Sequence, residues 1–169
     1  MSTSTVEVGI LAEANAERRE QILELLERAY WMEIETVMNY IAASTNLDGI
    51  RAQEIRESLE EDVQDELGHA QRFAARIKEL YGVVPGSDDF TAEQHSLQPP
   101  ERSTDIVSVI RGVIEAEIGG IEHYNRIIEA ADGLDWVTQD LATEILQDEE
   151  GHRRLFEGFL RECEADGIA

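Results

Sequence analysis

The chain is short of cysteine, proline, lysine and long apolar runs, and each shortage closes off a class of explanation. Cys163 is the sole cysteine among 169 residues, so neither an intrachain disulfide nor a C-x-x-C metal knuckle can form. That usage fits a reducing, cytoplasmic compartment. Lys78 is the sole lysine, and 14 Lys and Arg face 37 Asp and Glu for a formal charge of −23. Such an excess argues against sequence-independent binding to nucleic acid or to an anionic membrane surface. Cations are its natural partners, although most of these carboxylates are expected simply to face water. No stretch approaches the roughly 20 apolar residues of a membrane span, and residues 1–16 lack the basic start and apolar run of a signal peptide. The expectation is a protein neither secreted nor membrane-embedded.

What is present is helical periodicity. Ile22, Leu25, Leu26, Ala29, Met32, Thr36, Val37, Tyr40 and Ile41 recur at the three-and-four spacing of one helical face, predicting a first helix from about Asn15 to Thr45. Asn46-Leu47-Asp48-Gly49 ends it, and a second run follows through Ile55, Leu59, Val63, Ala70, Phe73, Ile77 and Leu80 until Gly82 and Pro85. All three prolines, Pro85, Pro99 and Pro100, lie in residues 82–103, which read as a connection without regular structure. At about 3.3 Å per residue such a segment spans the length of a bundle, and a crossover explains its length. Ser103 or Thr104 is the expected cap of a third helix through Ile110, Ile114, Ile118, Ile121 and Tyr124, which stops near Asp132-Gly133. A fourth helix runs from about Trp136 through Ile145, Leu155, Phe156 and Leu160. The fold class is therefore all-α: a four-helix bundle with one long crossover between helices 2 and 3. The expected organisation is an N-terminal extension at 1–16, the bundle at 17–163 and a tail at 164–169.

Residues 65–69 read DELGH, and residues 148–152 read DEEGH. On a helix, Glu and His three apart differ by about 60° of rotation and about 4.5 Å of rise, so both reach one point beside the helix. Glu66 with His69, and Glu149 with His152, each offer a carboxylate and an imidazole to a metal. The other two helices echo each other as well: Glu33 precedes Tyr40 by seven positions, as Glu117 precedes Tyr124. All four glutamates fall on apolar stripes, where an unpaired carboxylate costs several kcal/mol. Glu33, for instance, has Leu26, Tyr30, Val37 and Tyr40 at minus seven, minus three, plus four and plus seven. No lysine or arginine shares those stripes near the four positions, so a cation from solution is the simplest compensator. Four negative charges ask for two divalent ions.

One Glu from each of two helices, plus Glu-x-x-His from each of the other two, is the ligand pattern of di-iron carboxylate bundles. Over residues 18–162 the chain resembles the ferritin-like superfamily and most of all the bacterioferritins, on DELGHAQRF at 65–73 and ILQDEEGH at 145–152. The resemblance implies Glu33 and Glu117 as terminal ligands, Glu66 and Glu149 as bridging ligands, and His69 and His152 as one imidazole per metal. It implies two iron ions per chain, with manganese as the alternative, and Fe(II) oxidation by O2 or H2O2. The activity the resemblance implies is that of a ferroxidase in iron storage or detoxification. It also implies a homo-oligomer.

Asp65 and Asp148, each just before a ligand glutamate, could hold the second ring N–H of a histidine across the bundle; the alternative is a solvated aspartate. Tyr40 and Tyr124 are expected as core with satisfied hydroxyls, or else beside the site. Trp31 and Trp136 point only to packing or an interface, and His95 and His123 are expected to face solvent.

The resemblance has departures. Bacterioferritins ligate haem through a methionine directly after the second-helix glutamate, where Leu67 stands here, so haem is not expected. Only 17 residues follow His152, which leaves no room for a well-formed fifth helix and puts a 24-subunit cage in doubt. The rival readings are a rubrerythrin-like or Dps-like peroxide-reducing oxidoreductase and, from another class, a metal-free acidic helical interaction bundle.

Overall fold

The computed structural model describes residues 8–168, so residues 1–7 of the expected extension and residue 169 of the expected tail lie outside it. Regular structure among the described residues consists of α1 (Ala16–Asn46), α2 (Gln53–Glu79), α3 (Ile106–Ala131) and α4 (Trp136–Ala165), with short 3-10 turns. The helices follow the expected runs because Ala, Leu, Glu, Gln and Arg, all strong helix formers, fill the positions between the apolar ones.

Their ends have local causes. Leu47 leaves α1 in an extended conformation, and Gly49 sits at φ 102, which a side chain rarely tolerates. Neither Ser103 nor Thr104 caps α3. Asp105 does so, its Oδ1 accepting the Ser108 N–H at 3.1 Å, where a carboxylate also meets the positive end of the helix dipole. Ser103 is engaged instead through its carbonyl, which accepts the Asp48 N–H at 2.7 Å. Asp135 caps α4 in the same way as Asp105 caps α3.

Three contacts set the helix directions. The Asp48–Ser103 bond puts the start of α3 beside the α1–α2 turn. Arg18 near the start of α1 donates to the carbonyls of Ala130 and Asp132 at the end of α3. Arg76 near the end of α2 donates to Thr138 at 2.8 Å and to Asp135 at 2.7 Å, at the start of α4. α1 is thus antiparallel to α2 and α3, α2 is antiparallel to α4, and residues 80–105 carry the chain the length of the bundle.

That crossover is strapped to α1 and α3. Glu35, buried on α1, accepts the N–H groups of Glu93 and Gln94 at 2.9 to 3.0 Å. Leu97 is fully buried, and a Cβ at Gly112 would come within 2.6 Å of the Ser96 carbonyl, so the α3 backbone must be bare there for the strap to pass.

The core has two apolar parts. One, at the α1–α2 turn, contains Tyr40, Leu47, Leu59, Leu97, Ile110 and Phe156. The other, at the opposite end, contains Ile22, Leu26, Phe73, Ile77, Ile127 and Ile145. Each such buried side chain stabilises the fold by about 1.5–3 kcal/mol. Between the two parts lies a layer of buried carboxylates and imidazoles. Three expected core positions are instead exposed: Ile41, Ile118 and Leu155. Each sits one residue from an inward side chain (Tyr40, Glu117 and Phe156), and a single residue turns the helix by about 100°.

Candidate metal centre

Every helix sends one glutamate into the polar layer. Glu33, Glu66, Glu117 and Glu149 are each at most 3% exposed, held there because the residues three, four and seven away along each helix are packed. His69 is buried with them, and His152 is half-buried.

The distances divide the layer into two halves with two shared members. His69 Nδ1 lies 3.1 Å from Glu149 Oε1, 3.7 Å from Glu66 Oε2 and 3.8 Å from Glu33 Oε1. His152 Nδ1 lies 3.3 Å from Glu66 Oε1, 3.8 Å from Glu149 Oε2 and 4.0 Å from Glu117 Oε1. Glu66 and Glu149 therefore each turn one oxygen to each histidine, whereas Glu33 faces only the His69 half and Glu117 only the His152 half. Ligand-type atoms of Glu33, Glu66, His69 and Glu149 converge within 4.8 Å of one another, as do those of Glu66, Glu117, Glu149 and His152.

The donor set fits a pair of cations. Glu66 Oε1, His69 Nδ1, Glu117 Oε2, Glu149 Oε1 and His152 Nδ1 are all buried without a hydrogen-bond partner, an arrangement that is costly unless something central satisfies it. Burial, with the charges of Glu66 and Glu149, pushes Glu33 well above the usual carboxylate range. Burial and Glu149 do the same to Glu117. Burial opposes ionisation of Glu66 and Glu149 too, but the close approach of both histidines, with Glu33 beside Glu66 and Glu117 beside Glu149, holds both below that range. Burial disfavours a charged His69, yet contacts with Glu149 and Glu66 push it up to about 10. The same balance lifts His152 to about 11.

The outer partners of the two histidines differ. Asp148 Oδ2 lies 3.3 Å from His69 Nε2, across the bundle, which favours the Nε2–H tautomer of the neutral ring and leaves Nδ1 as the atom that would serve a metal. At His152 the corresponding place is taken by Asp62, whose Oδ1 lies 3.7 Å from Nε2. Asp65 is exposed, although one of its oxygens lies within 4.8 Å of ligand-type atoms of Asp62 and His152. Burial raises Asp62 to about 6. Asp62 was missed in the sequence, although it precedes Glu66 by four positions and so shares its stripe.

Tyr40 and Tyr124 are both core and site. The Tyr40 hydroxyl on α1 donates to Glu117 on α3, and the Tyr124 hydroxyl on α3 donates to Glu33 on α1. His123 does not face solvent. It is 2% exposed, and its Nε2–H donates to the Leu25 carbonyl at 2.8 Å, because α3 turns this position toward α1. His95 is exposed, as is Trp136, while Trp31 packs between Tyr30 and Phe90. None of the described helices is long and apolar enough to cross a membrane.

Residues 23–165 match the family model described as a ferritin-like domain. A "DNA protection during starvation protein" of Pyrococcus furiosus is 31% identical over 144 residues, covering 83% of this chain and 77% of that protein. A bacterioferritin of Desulfovibrio desulfuricans is 25% identical over 142 residues, covering 83% and 75%. Among solved structures, a dodecameric thioferritin of Bacteroides fragilis superposes with a TM-score of 0.76 at 22% identity, over 88% of this chain and 89% of that one. A four-helix bundle with a central carboxylate and histidine cluster, matched along most of its length by these relatives, is a member of the ferritin-like domain family.

Proposed function

We propose that this chain is a ferroxidase-type di-iron carboxylate protein: it takes two Fe(II) ions and passes their electrons to O2 or H2O2. The observation that carries the reading is the double-facing geometry of Glu66 and Glu149, one oxygen toward each histidine. Two ions sharing two carboxylates is the arrangement that uses every inward donor. In this reading Glu66 and Glu149 bridge, Glu33 and Glu117 are terminal ligands, and His69 and His152 each bind one ion through Nδ1. Carboxylate oxygens are hard donors that favour ferric over ferrous iron, which supplies the driving force for oxidation.

The protein's own groups do the rest. Asp148 and Asp62 orient the imidazoles, while Tyr124 and Tyr40 hold the terminal carboxylates. The two dry clusters exclude bulk water, which strengthens the interactions between ligands and ions. Protons leaving the four raised groups on metal binding are available to the reduced oxidant: two electrons and two protons convert O2 to H2O2, or H2O2 to two waters.

The 31% identity to a starvation-protection protein supports a second, Dps-like reading in which peroxide is the oxidant. Both readings place the protein in iron storage or detoxification, in the cytoplasm and as a homo-oligomer, and the dodecamer described for the B. fragilis neighbour supports the latter. Manganese satisfies the same donors, and haem has no part in the proposal.

The test is to give anaerobic apoprotein two equivalents of Fe(II) per chain, admit O2 or H2O2, and follow ferric absorbance with an oxygen electrode. Faster turnover with O2 supports the ferroxidase, and faster turnover with H2O2 the Dps-like enzyme. Continued oxidation beyond two irons per chain supports storage. Failure to bind two ions returns the chain to the metal-free interaction bundle.

A further inference from the structure

Gln94 of the crossover stands between the metal centre and a cavity open to the surface. The outer cavity, about 190 Å3, is lined by Arg28, Glu93, Glu115, Gly119, Glu122 and Arg126 among others. An inner void of about 10 Å3 touches Glu33, Glu66, Glu117 and Glu149, room for no more than about one water. Met32, Gln94 and Ala116 line both. They are the partition between the two spaces, and Gln94 supplies its only polar side chain.

We propose that the Gln94 side chain gates the passage of divalent cations from this outer cavity to the carboxylate centre, an inference that rests on the metal-binding reading above. Two sets of contacts separate the moving part from its anchor. The backbone N–H groups of Glu93 and Gln94 are fixed on the buried Glu35 carboxylate, a charge-assisted attachment that keeps the strap in place. The carboxamide itself makes only neutral bonds: Nε2 donates to Thr36 Oγ1 at 2.7 Å and to the Met32 carbonyl at 3.2 Å, and Oε1 accepts from Asn39 Nδ2 at 3.1 Å. Neutral hydrogen bonds are the weaker kind and exchange readily with water or ligand. Rotation of this side chain joins the two spaces without moving the backbone.

The surroundings favour a cation. Glu93, Glu115 and Glu122 outnumber Arg28 and Arg126 at the mouth, and the Arg28–Glu93 pair at 2.8 Å leaves Glu115 and Glu122 facing Arg126 alone. Across from Gln94, α3 presents Ala116, Gly119 and Gly120; a Cβ at Gly119 would meet nothing within 4 Å, leaving a clear path along that helix. The carbonyl oxygen of Gln94 is a hard donor that can replace one water of an incoming ion.

The experiment is stopped-flow uptake of Co(II), read from its absorption bands under anaerobic conditions and therefore independent of oxidation, on full-length wild type, Gln94→Ala, Gln94→Phe and Thr36→Val. Thr36→Val removes one of the three carboxamide bonds and is expected to speed uptake by about fivefold, the size of a lost neutral hydrogen bond; Gln94→Ala removes all three and is expected to speed it by at least as much, with two Co(II) still bound per chain in both. Gln94→Phe plugs the partition and slows uptake by a comparable factor. Thr36→Val keeps the strap intact, so it serves even if a Gln94 variant fails to fold. Rates within twofold of wild type in every folded variant, with two ions still bound, overturn the gate alone. Failure of wild type to bind two Co(II) overturns the metal reading and the gate together.

Discussion

The Tyr124 hydroxyl on α3 donates to Glu33 on α1, while Tyr40 on α1 donates to Glu117 on α3. The two bonds are reciprocal. Each helix of the pair holds the other's inward carboxylate, and each bond belongs to a different half of the carboxylate and histidine cluster. Tyr124→Phe and Tyr40→Phe are expected to cost about 1 kcal/mol each in chemical denaturation of the apoprotein. The double variant should lose about the sum, since the bonds share no partner.

Glu66 and Glu149 differ from Glu33 and Glu117 in facing both histidines. Replacing either shared residue by alanine should abolish tight binding of both ions, whereas Glu33→Ala or Glu117→Ala should leave one. Anaerobic Co(II) titration with equilibrium dialysis measures this. Two ions retained by Glu66→Ala would sink the assignment of bridging roles.

Binding should release protons. Near neutral pH the apo centre favours protons on His69 and His152, pushed up to about 10 and about 11, and burial shifts Glu33 and Glu117 toward their protonated forms. Metal ions need all four groups deprotonated, so filling both sites should liberate up to four protons per chain. Protons compete with the ions, and affinity therefore rises with pH. Calorimetry in buffers of different ionisation enthalpy counts the protons directly.

Asp148 and Asp62 face the outer nitrogens of His69 and His152, while Asp65 is exposed. Asp148→Asn and Asp62→Asn are expected to weaken metal affinity by about 10–100-fold. Asp65→Asn should change it far less. Equal losses for Asp62 and Asp65 variants would contradict the asymmetry between the two histidines.

His123 has its proton affinity lowered from the ordinary value of 6.5, first by burial. The unfolded chain thus binds a proton that the folded chain resists, so this contribution to stability is intact above pH 6.5 and lost as pH falls through the lowered value. His123→Gln, which can keep a donor to the Leu25 carbonyl, should show a smaller fall in Tm between pH 7 and pH 5 than wild type. An identical fall would mean that His123 titrates normally.

Helix positions and the inward glutamates were legible because helical periodicity is local: a carboxylate at the spacing of its apolar neighbours must follow them inside. The paired DELGH and DEEGH segments narrowed the chemistry further, since each sets Glu and His one turn apart on one face. Asp62 and Asp65 share the same helix, and adjacency to Glu66 within the repeated segment drew attention to Asp65, although the spacing of four pointed to Asp62. The arc that α4 covers decides between them, leaving Asp65 in water and Asp62 against His152. His123 looked like a surface residue in a charged stretch until α1 was placed beside it.

The sequence by itself determined four amphipathic helices, a long crossover and one inward carboxylate per helix, because each of these is written in spacings of three, four and seven residues along a single chain. Only the tertiary structure decided which carboxylates face both histidines, which tyrosine holds which glutamate, and that Glu35 and Gln94 bring the crossover over the centre. Those relations join residues about 60 to 90 positions apart, and they depend on the angles and offsets at which packed helices meet, which no local spacing encodes.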